Sequence, residues 1–520
     1  MFRLVKNLLG FVRFLVSKPV VITLLLVWQV WLLLGVLRNL GSNSTYLYIV
    51  FVLLSYVVTL RLLNSTVNPA FKLALIIPIM IFPVFGGPFY VVFGSNRVGS
   101  RELRIFGKAR NAVLPWLKQD EEILASLDEQ DRYLGGQARY ISVHSSFPLH
   151  QETSSTYLPS GDAFFYEMIA AVKAAKHSVF LEFFIIRPGK LWTEILEALE
   201  QKVAEGVDVR LIYDDMGCIF QLPQDYYRTL RAKGIRCMVF NPYRPTLSMT
   251  FNHRDHRKIA IVDGYIGFTG GINIDDQYAD SYAGRPEGTW CDSGVKLQGA
   301  AVWNLTMMFL EAWSSTYEGE DDFALMRPEC FQPEPFPSEG YIQPFGDTPF
   351  DDELVSETAY MNVMNQAVDY LLITTPYLVT SNEMMTALCS AAKRGVEVSI
   401  LTPNTVENWL IHSATEASFQ QLIEAGCKIY RYTPGFIHGK NLLCDGRVGI
   451  VGSVNLDFRS LYLSFECAVW MTGCQALQEM EKDLRARFAV STQVTLQECL
   501  SQPLLKRLAQ SFMRILAPLI

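Results

Sequence analysis

The chain has no excess of positive charge. Its 45 lysines and arginines are outnumbered by 52 acidic residues, giving a formal net charge of −7 and a pI near 5.7. A protein that follows a nucleic-acid backbone neutralises phosphates with a basic surface, so this balance speaks against a nucleic-acid partner. The chain also has no C-x-x-C pair and no cysteine–histidine group at metal-ligand spacing. Its ten cysteines, Cys218 to Cys499, mostly sit in apolar runs. They read as reduced, buried thiols on the cytosolic side, not as a disulfide framework. No metal site is expected.

Charge of either sign is missing from three stretches near the N-terminus: residues 19–37 between Lys18 and Arg38, residues 39–60 closed by Arg61, and residues 73–93 after Lys72. Each is long enough to cross about 30 Å of hydrocarbon. A cleaved signal peptide fits poorly, because the first run is too long and a second apolar run follows at once. Residues 1–98 are therefore expected to form an α-helical membrane region of two to three transmembrane or re-entrant helices. Basic residues flank it on both sides: Arg3, Lys6, Arg13 and Lys18 before, then Arg97, Arg101, Arg104, Lys108 and Arg110 after. The positive-inside rule puts both groups on the cytoplasmic face, which three full spans would forbid. The third run, broken by Pro78, Pro83, Gly86, Gly87 and Pro88, is the candidate re-entrant hairpin. The expectation is a multi-pass cell-membrane protein with its catalytic part on the cytoplasmic face and the lipid bilayer as a partner. At the other end, residues 493–520 carry Leu504, Leu505, Leu508, Phe512, Ile515 and Leu516 at helical spacing with Lys506, Arg507 and Arg514 between them. This is an amphipathic helix, lying either on a bilayer or on the protein's own core.

From about residue 141 to 492, short apolar runs alternate with helical patterns, an α/β arrangement. Residues 178–186 and 207–213 read as strands around a helix at 192–205; residues 370–376 and 396–401 read as strands around a helix at 382–394. The texts match locally: Glu205-Gly-Val-Asp-Val-Arg-Leu beside Arg394-Gly-Val-Glu-Val-Ser-Ile, and Leu230-Arg-Ala-Lys-Gly-Ile-Arg beside Leu422-Ile-Glu-Ala-Gly-Cys-Lys. Two copies at this spacing mean a duplicated domain. The first half is placed at 99–330 and the second at 353–492. Between them, residues 331–352 hold Pro333, Pro335, Pro337, Pro344 and Pro349 and read as a stiff linker.

Each half carries one motif. His256-Arg-Lys258-Ile-Ala-Ile-Val-Asp263 and His438-Gly-Lys440-Asn-Leu-Leu-Cys-Asp445 both read H-x-K-x-x-x-x-D, and each is followed at the same distance by an asparagine, in Gly270-Gly-Ile-Asn273 and Gly452-Ser-Val-Asn455. On a strand the period of two puts His256 with Lys258, and His438 with Lys440, on one face. Asp263 and Asp445 lie at an odd offset and precede glycine, a turn signal, so they read as supporting members of the catalytic motif that tie down a strand end. A histidine also needs an acceptor on its second nitrogen. Asp292 and Glu466, each opening or sitting on a later apolar strand that could lie beside the H-x-K strand, are the candidate orienting groups. The pocket so composed is cationic and rich in donors, and it suits a phosphoryl group. Lys258, Lys440, Asn273 and Asn455 can hold its oxygens in the transition state. One histidine can attack phosphorus while the other protonates the leaving alkoxide, with no cofactor required.

At these residues the chain resembles the phospholipase D superfamily, and more widely the bacterial cardiolipin synthases: Asn252 to Asn273 resembles their first site, Pro434 to Lys440 and Val451 to Leu461 their second. The resemblance runs from about residue 45 to the C-terminus; related chains commonly carry Asn at the position of Ser464 and Ala at that of Gly439. It implies a duplicated phospholipase D-type α/β domain, two mixed sheets flanked by helices around a shared active site, after the N-terminal membrane helices. It implies phospholipid substrates: one phosphatidylglycerol would give its phosphatidyl group to a histidine, releasing glycerol, and a second would accept it to give cardiolipin. By similarity His256 is the nucleophile and His438 the acid and then base, although the sequence leaves that order open. The alternatives are another phospholipid transferase or hydrolase on the same fold (a different acceptor alcohol, water, or a CDP-diacylglycerol donor), a nuclease, or a membrane scaffold with a relict site. The oligomeric state is left open.

Overall fold

A computed structural model describes residues 27–28, 31, 34–35, 43–93, 100–242, 252–317, 322–332, 334, 336–405 and 409–519. The N-terminal basic cluster, Arg97 and most of residues 19–37 lie outside this set. The chain divides into two units, one comprising Met1–Ser100, Tyr243–Asn252 and Phe512–Ile520, the other Arg101–Pro242 and His253–Ser511.

In the first unit, Asn43–Leu63 is a helix of 21 residues carrying no charge before Arg61. It is, among the described residues, the one helix long and apolar enough to cross a membrane. The third apolar run is not a single helix. It forms Pro69–Ile81 and Pro83–Phe93, interrupted at Phe82. Pro83 lacks the amide a continuing helix would need. The chain then folds back closely enough that a Cβ on Gly86 would overlap the Cα of Ile79, and one on Gly87 the hydroxyl of Ser55. Ser55 Oγ donates to the carbonyl of Pro83 at 2.8 Å, which occupies an acceptor at the break.

The second unit is built on two sheets with the same strand order. The first runs Thr153–Leu158, Gly294–Gly299, Ile266–Gly270, Lys258–Val262, Ser178–Phe183, Asp208–Asp214, Arg236–Phe240. The second runs Tyr341–Asp347, Ser464–Thr472, Val448–Gly452, Asn441–Cys444, Tyr370–Thr374, Glu397–Pro403, Lys428–Tyr432, with Thr492–Gln493 added at its edge. In both, the three last core strands are parallel and the rest antiparallel. The crossover helices follow the sequence pattern. Lys190–Ala204 buries Leu191, Trp192, Ile195, Ala198 and Leu199 on one stripe. Asn382–Lys393 does the same with Met384, Met385, Leu388 and Ala391, and its first turn is capped by Ser381.

Two expectations of domain organisation change here. The segment 331–352 is not wholly a linker: Tyr341–Asp347 is the edge strand of the second sheet, paired with Ser464–Thr472. Pro344 is tolerated there because an edge strand has one side free of ladder bonds. The helix Arg132–Ser145, assigned by position to the first half, packs on the second sheet and on Val355–Gln366. Its Ala138 carbonyl and that of Phe147 accept from Gln343, and its Gln137 Oε1 accepts from Trp470 Nε1 at 2.8 Å. One apolar core accordingly runs through both halves, with Phe180, Ile212, Ile259, Leu371, Ile450 and Trp470 in the same cluster. The halves are two copies in sequence and one body in packing.

Candidate active site

Both histidines sit where the two halves exchange strands. Arg254–Asp255 leaves its own half and pairs in parallel with Ser464–Phe465 of the second sheet, and His256 N donates to Phe465 O at 2.9 Å. The mirror exchange joins Phe436–Ile437 to Trp290–Cys291 of the first half, and His438 N donates to Cys291 O. Each H-x-K thus bridges two sheets: the histidine is held by the other half, and the lysine opens, or directly precedes, a strand of its own half.

The exchange decides which carboxylate meets which imidazole. His256 Nδ1 lies 2.9 and 3.1 Å from the two oxygens of Glu466. His438 Nδ1 lies 2.6 Å from Asp292 Oδ2. The orienting strands therefore do not lie beside the H-x-K strand of their own half. The strand carrying Gly270 or Gly452 intervenes there, and each carboxylate reaches the histidine of the opposite half. Both acids are fully buried. The difference between G-G-I-N and G-S-V-N now has a physical reason. Any Cβ at Gly271 would overlap Oδ1 of the short Asp292, whereas the longer Glu466 leaves room for Ser453, whose hydroxyl donates to it.

The two lysines are buried among these groups. Each ammonium donates to the carbonyl of the histidine two residues before it, and Lys440 Nζ also lies 3.1 Å from Nε2 of His438. Burial, with the neighbouring ammonium ions, drives both imidazoles down: His256 well below its ordinary range, and His438 to about 4. Burial pushes Lys258 down to about 8 against the pull of Glu466. It pushes Lys440 to about 7 against Asp292, with Lys258 adding to the push. The two acids differ. Burial raises Glu466 to about 7 despite Lys258 and Ser453. Burial would raise Asp292 too, but His438 and Lys440 outweigh it and hold it below its ordinary value.

Ionised Lys440 is therefore a cost to the fold. With its pKa lowered from 10.5 to about 7, the cost is present in full below pH 7, where the folded and unfolded chains are both charged. It fades as pH rises to 10.5, where both are neutral. Lys440→Met removes that cost but also takes the ammonium from buried Asp292, so its effect on the melting temperature is expected to be more favourable at pH 6 than at pH 10, while turnover is lost. Scanning calorimetry of both proteins at the two pH values checks this, and a difference that is the same at pH 6 and pH 10 would show that the ammonium is well solvated by its partners.

Asp263 and Asp445, the last members of the motifs, are at the far end of their strands, roughly 20 Å of extended chain from the histidines. Each takes a left-handed backbone, φ 49° and 53°, and caps the neighbouring strand. Asp263 accepts from the amides of Lys176, His177 and Ser178, and Asp445 from those of Val368, Asp369 and Tyr370. They touch no catalytic group and set the frame. The asparagines are not equivalent. Asn273 is engaged, accepting from Ile185 N at 3.1 Å and donating to Tyr278 at 2.9 Å. Asn455 is buried with its Oδ1 unpaired among the described residues.

The family described as "Cardiolipin synthase, PLD-like domain" matches residues 168–282 and 360–488, one block in each half. A cardiolipin synthase 2 of Bacillus anthracis is 32% identical over 465 residues, covering 87% of both chains. The chain belongs to the cardiolipin synthase family. An uncharacterized protein of Streptococcus mutans is 37% identical over 462 residues, covering 89% of this chain and 99% of the other. Among solved structures, a phosphatidylserine synthase of Haemophilus influenzae superposes with a TM-score of 0.54 at 14% identity, covering 74% of this chain and 98% of that one. That likeness shows the α/β phospholipase D-type fold.

In this member of the cardiolipin synthase family, several residues around the site carried no signal of their own in the sequence. Tyr278 and Trp290 pack their rings 5.3 and 5.7 Å from that of His438, and Phe184 packs 5.1 Å from that of His256. Arg257, between the motif's histidine and lysine, is buried and bridges Glu182 at 2.7 Å and Asp255 at 3.0 Å. Arg254 pairs with Asp214 at 3.2 Å just before it. This charged cluster fixes the segment that crosses to the second sheet. The second motif has Gly439 at the matching place, where a Cβ would press on Ser293 Oγ at 3.0 Å. A charged residue on one side and none on the other was visible, but not its meaning, because Glu182 and Asp214 lie far off in the chain.

Proposed function

We propose that this protein is a cardiolipin synthase that moves the phosphatidyl group of one phosphatidylglycerol onto a second and releases glycerol. The observation that carries the reading is the exchange of carboxylates: each histidine is oriented by an acid from the other half, so neither half-site is complete alone. His256 attacks phosphorus through Nε2, the bond from phosphorus to the glycerol oxygen breaks, and His438 gives that oxygen its proton. His438 then takes the proton of the incoming hydroxyl, which attacks phosphorus and frees His256. Asp292, held ionised, suits His438 to carry the positive charge between these steps. Lys258 and Lys440 face the phosphoryl oxygens with Asn455, and the anionic diester offsets the ammonium charges that otherwise depress the imidazoles. Asn273 acts from behind, through Tyr278. Asp263 and Asp445 hold the strands.

The helix Asn43–Leu63 is read as a membrane span and the pair Pro69–Ile81 and Pro83–Phe93 as a re-entrant hairpin, with the second unit on the cytoplasmic face of the cell membrane. The apolar face of Leu504–Leu516 fits a bilayer surface better than a core, since Leu504, Leu505, Leu508 and Phe512 are all exposed.

Purified protein given isotope-labelled phosphatidylglycerol as the only lipid is expected to yield cardiolipin and free glycerol in equal amounts by mass spectrometry. The yield should be the same with EDTA present, because the lysines supply the positive charge at phosphorus. Phosphatidic acid as sole product would make it a hydrolase. A strict, reversible divalent-ion requirement would overturn the lysine mechanism.

A further inference from the structure

The second parallel strand of each half, Asp208–Asp214 and Glu397–Pro403, ends at the same sheet edge as the histidine-bearing segment: Tyr213 aligns with Phe183 and so with Lys258, and Leu401 with Thr374 and so with Asn441. Past the end of each strand stands an exposed large aromatic, Phe220 at 91% exposure in the first half and Trp409 at 63% in the second. Phe220 stands on a braced turn. Asp214 accepts from Gly217 N at 2.9 Å, Cys218 is buried under the turn, and Gln221 accepts from Arg187 Nε at 2.8 Å. Trp409 opens a helix of 16 residues that is anchored by buried Ala414, Phe419 and Leu422.

Two turns along that helix, Glu416 binds Lys506 at 2.7 Å and Gln510 at 3.3 Å. This ties down a segment whose Leu504, Leu505 and Leu508 are 72%, 80% and 58% exposed. Lys506 and Arg507 lie between them. Single exposed apolar residues are ordinary on a surface. Large aromatics past the equivalent strand ends of both halves, one on a braced turn and the other opening an anchored helix that also holds a basic and apolar segment, are a different matter. An amphipathic Trp, an apolar Phe and basic residues beside leucines suit the headgroup layer of an anionic membrane.

We propose that Phe220, Trp409 and the Leu504–Leu505–Leu508 face form a lipid-contacting rim that seats the catalytic edge on an anionic bilayer. The proposal rests on the cardiolipin synthase reading, since a phosphodiester at the headgroup plane is reached only by an edge lying in that plane. Once seated, the rim lets the substrate's acyl chains stay in the bilayer while its phosphate enters between the two histidines.

The test compares the full-length protein with the Phe220→Ser/Trp409→Ser double variant on two forms of phosphatidylglycerol: long-chain lipid in vesicles, and a short-chain form dispersed as monomers. The variant is expected to lose about tenfold or more on vesicles and to stay within about twofold on monomers. Equal turnover on vesicles, or an equal loss on both forms, overturns the rim. A wild-type protein inactive on both forms would overturn the cardiolipin synthase reading instead. The rim would still be decided by quenching of Trp409 with brominated phosphatidylglycerol, read as the difference between wild type and Trp409→Phe. Absence of that quenching overturns it, as would quenching by a protein partner's label and not by lipid.

Discussion

His256→Ala and His438→Ala are each expected to reduce turnover by about 10,000-fold or more while leaving the protein folded. In the proposed mechanism the two histidines act in sequence on one phosphorus atom, so losing either stops the cycle, and the double variant should be no worse than either single one. Their surroundings explain why the fold should survive. Asp292 keeps the Ser293 amide and Lys440 beside it, and Glu466 keeps the Ser453 hydroxyl and Lys258. Mixing the two single variants should restore nothing, because the strand exchange that brings each carboxylate to its histidine is made within one chain. Turnover and melting temperature, measured on the singles, the double and the mixture, check all four statements. Substantial activity in either single variant, or recovery on mixing, would remove the shared site.

The motifs, the duplication and the α/β alternation were legible because duplication copies residue types at fixed spacing, and the spacing survives in the text. The strands at 178–183 and 208–214 and their copies at 370–374 and 397–403 fall within a few residues of expectation for that reason. The odd offset and following glycine of Asp263 and Asp445 announced their removal from the chemistry, and the structure gives that removal a geometry: three amides each. What was not legible depends on partners distant in sequence. His256 and Glu466 are 210 residues apart and His438 and Asp292 are 146, and nothing local says that the orienting strand serves the other half. One compensating pair did carry the information, Gly271 with the short acid and Ser453 with the long one, but it reads as such only once the close approach is seen. The proline count misled at 331–352 because proline marks an edge strand as readily as a linker. The helix Arg132–Ser145 lies near the first half in the chain but packs on the second sheet, and nothing local in its text marks that choice.

The two orienting acids should fail differently when neutralised, and the difference lies in pH. Asp292 is held ionised below its ordinary range, so at any working pH it receives the Nδ1 proton of His438. Asp292→Asn is therefore expected to cost about 1,000-fold or more with little pH dependence, by losing both the tautomer and the charge that steadies the imidazolium. Glu466 is raised to about 7. Below that pH it is protonated, and its own O–H donates to Nδ1 of His256, which puts the ring proton on Nε2 and blocks attack. Above it, the carboxylate accepts from Nδ1 and the Nε2 lone pair is free. The turnover of the wild type should accordingly rise through about pH 7. In Glu466→Gln that limb should vanish: the variant runs close to the wild type at pH 6 and falls progressively behind by pH 8. Rate profiles of the three proteins over this range decide the matter. A rising limb that persists in Glu466→Gln would show that Glu466 does not set it, whereas Lys440, whose lowered value lies in the same window, would give a falling limb because its loss of charge slows the reaction as pH rises. The sign of the slope therefore separates the two groups without any structure of the complex.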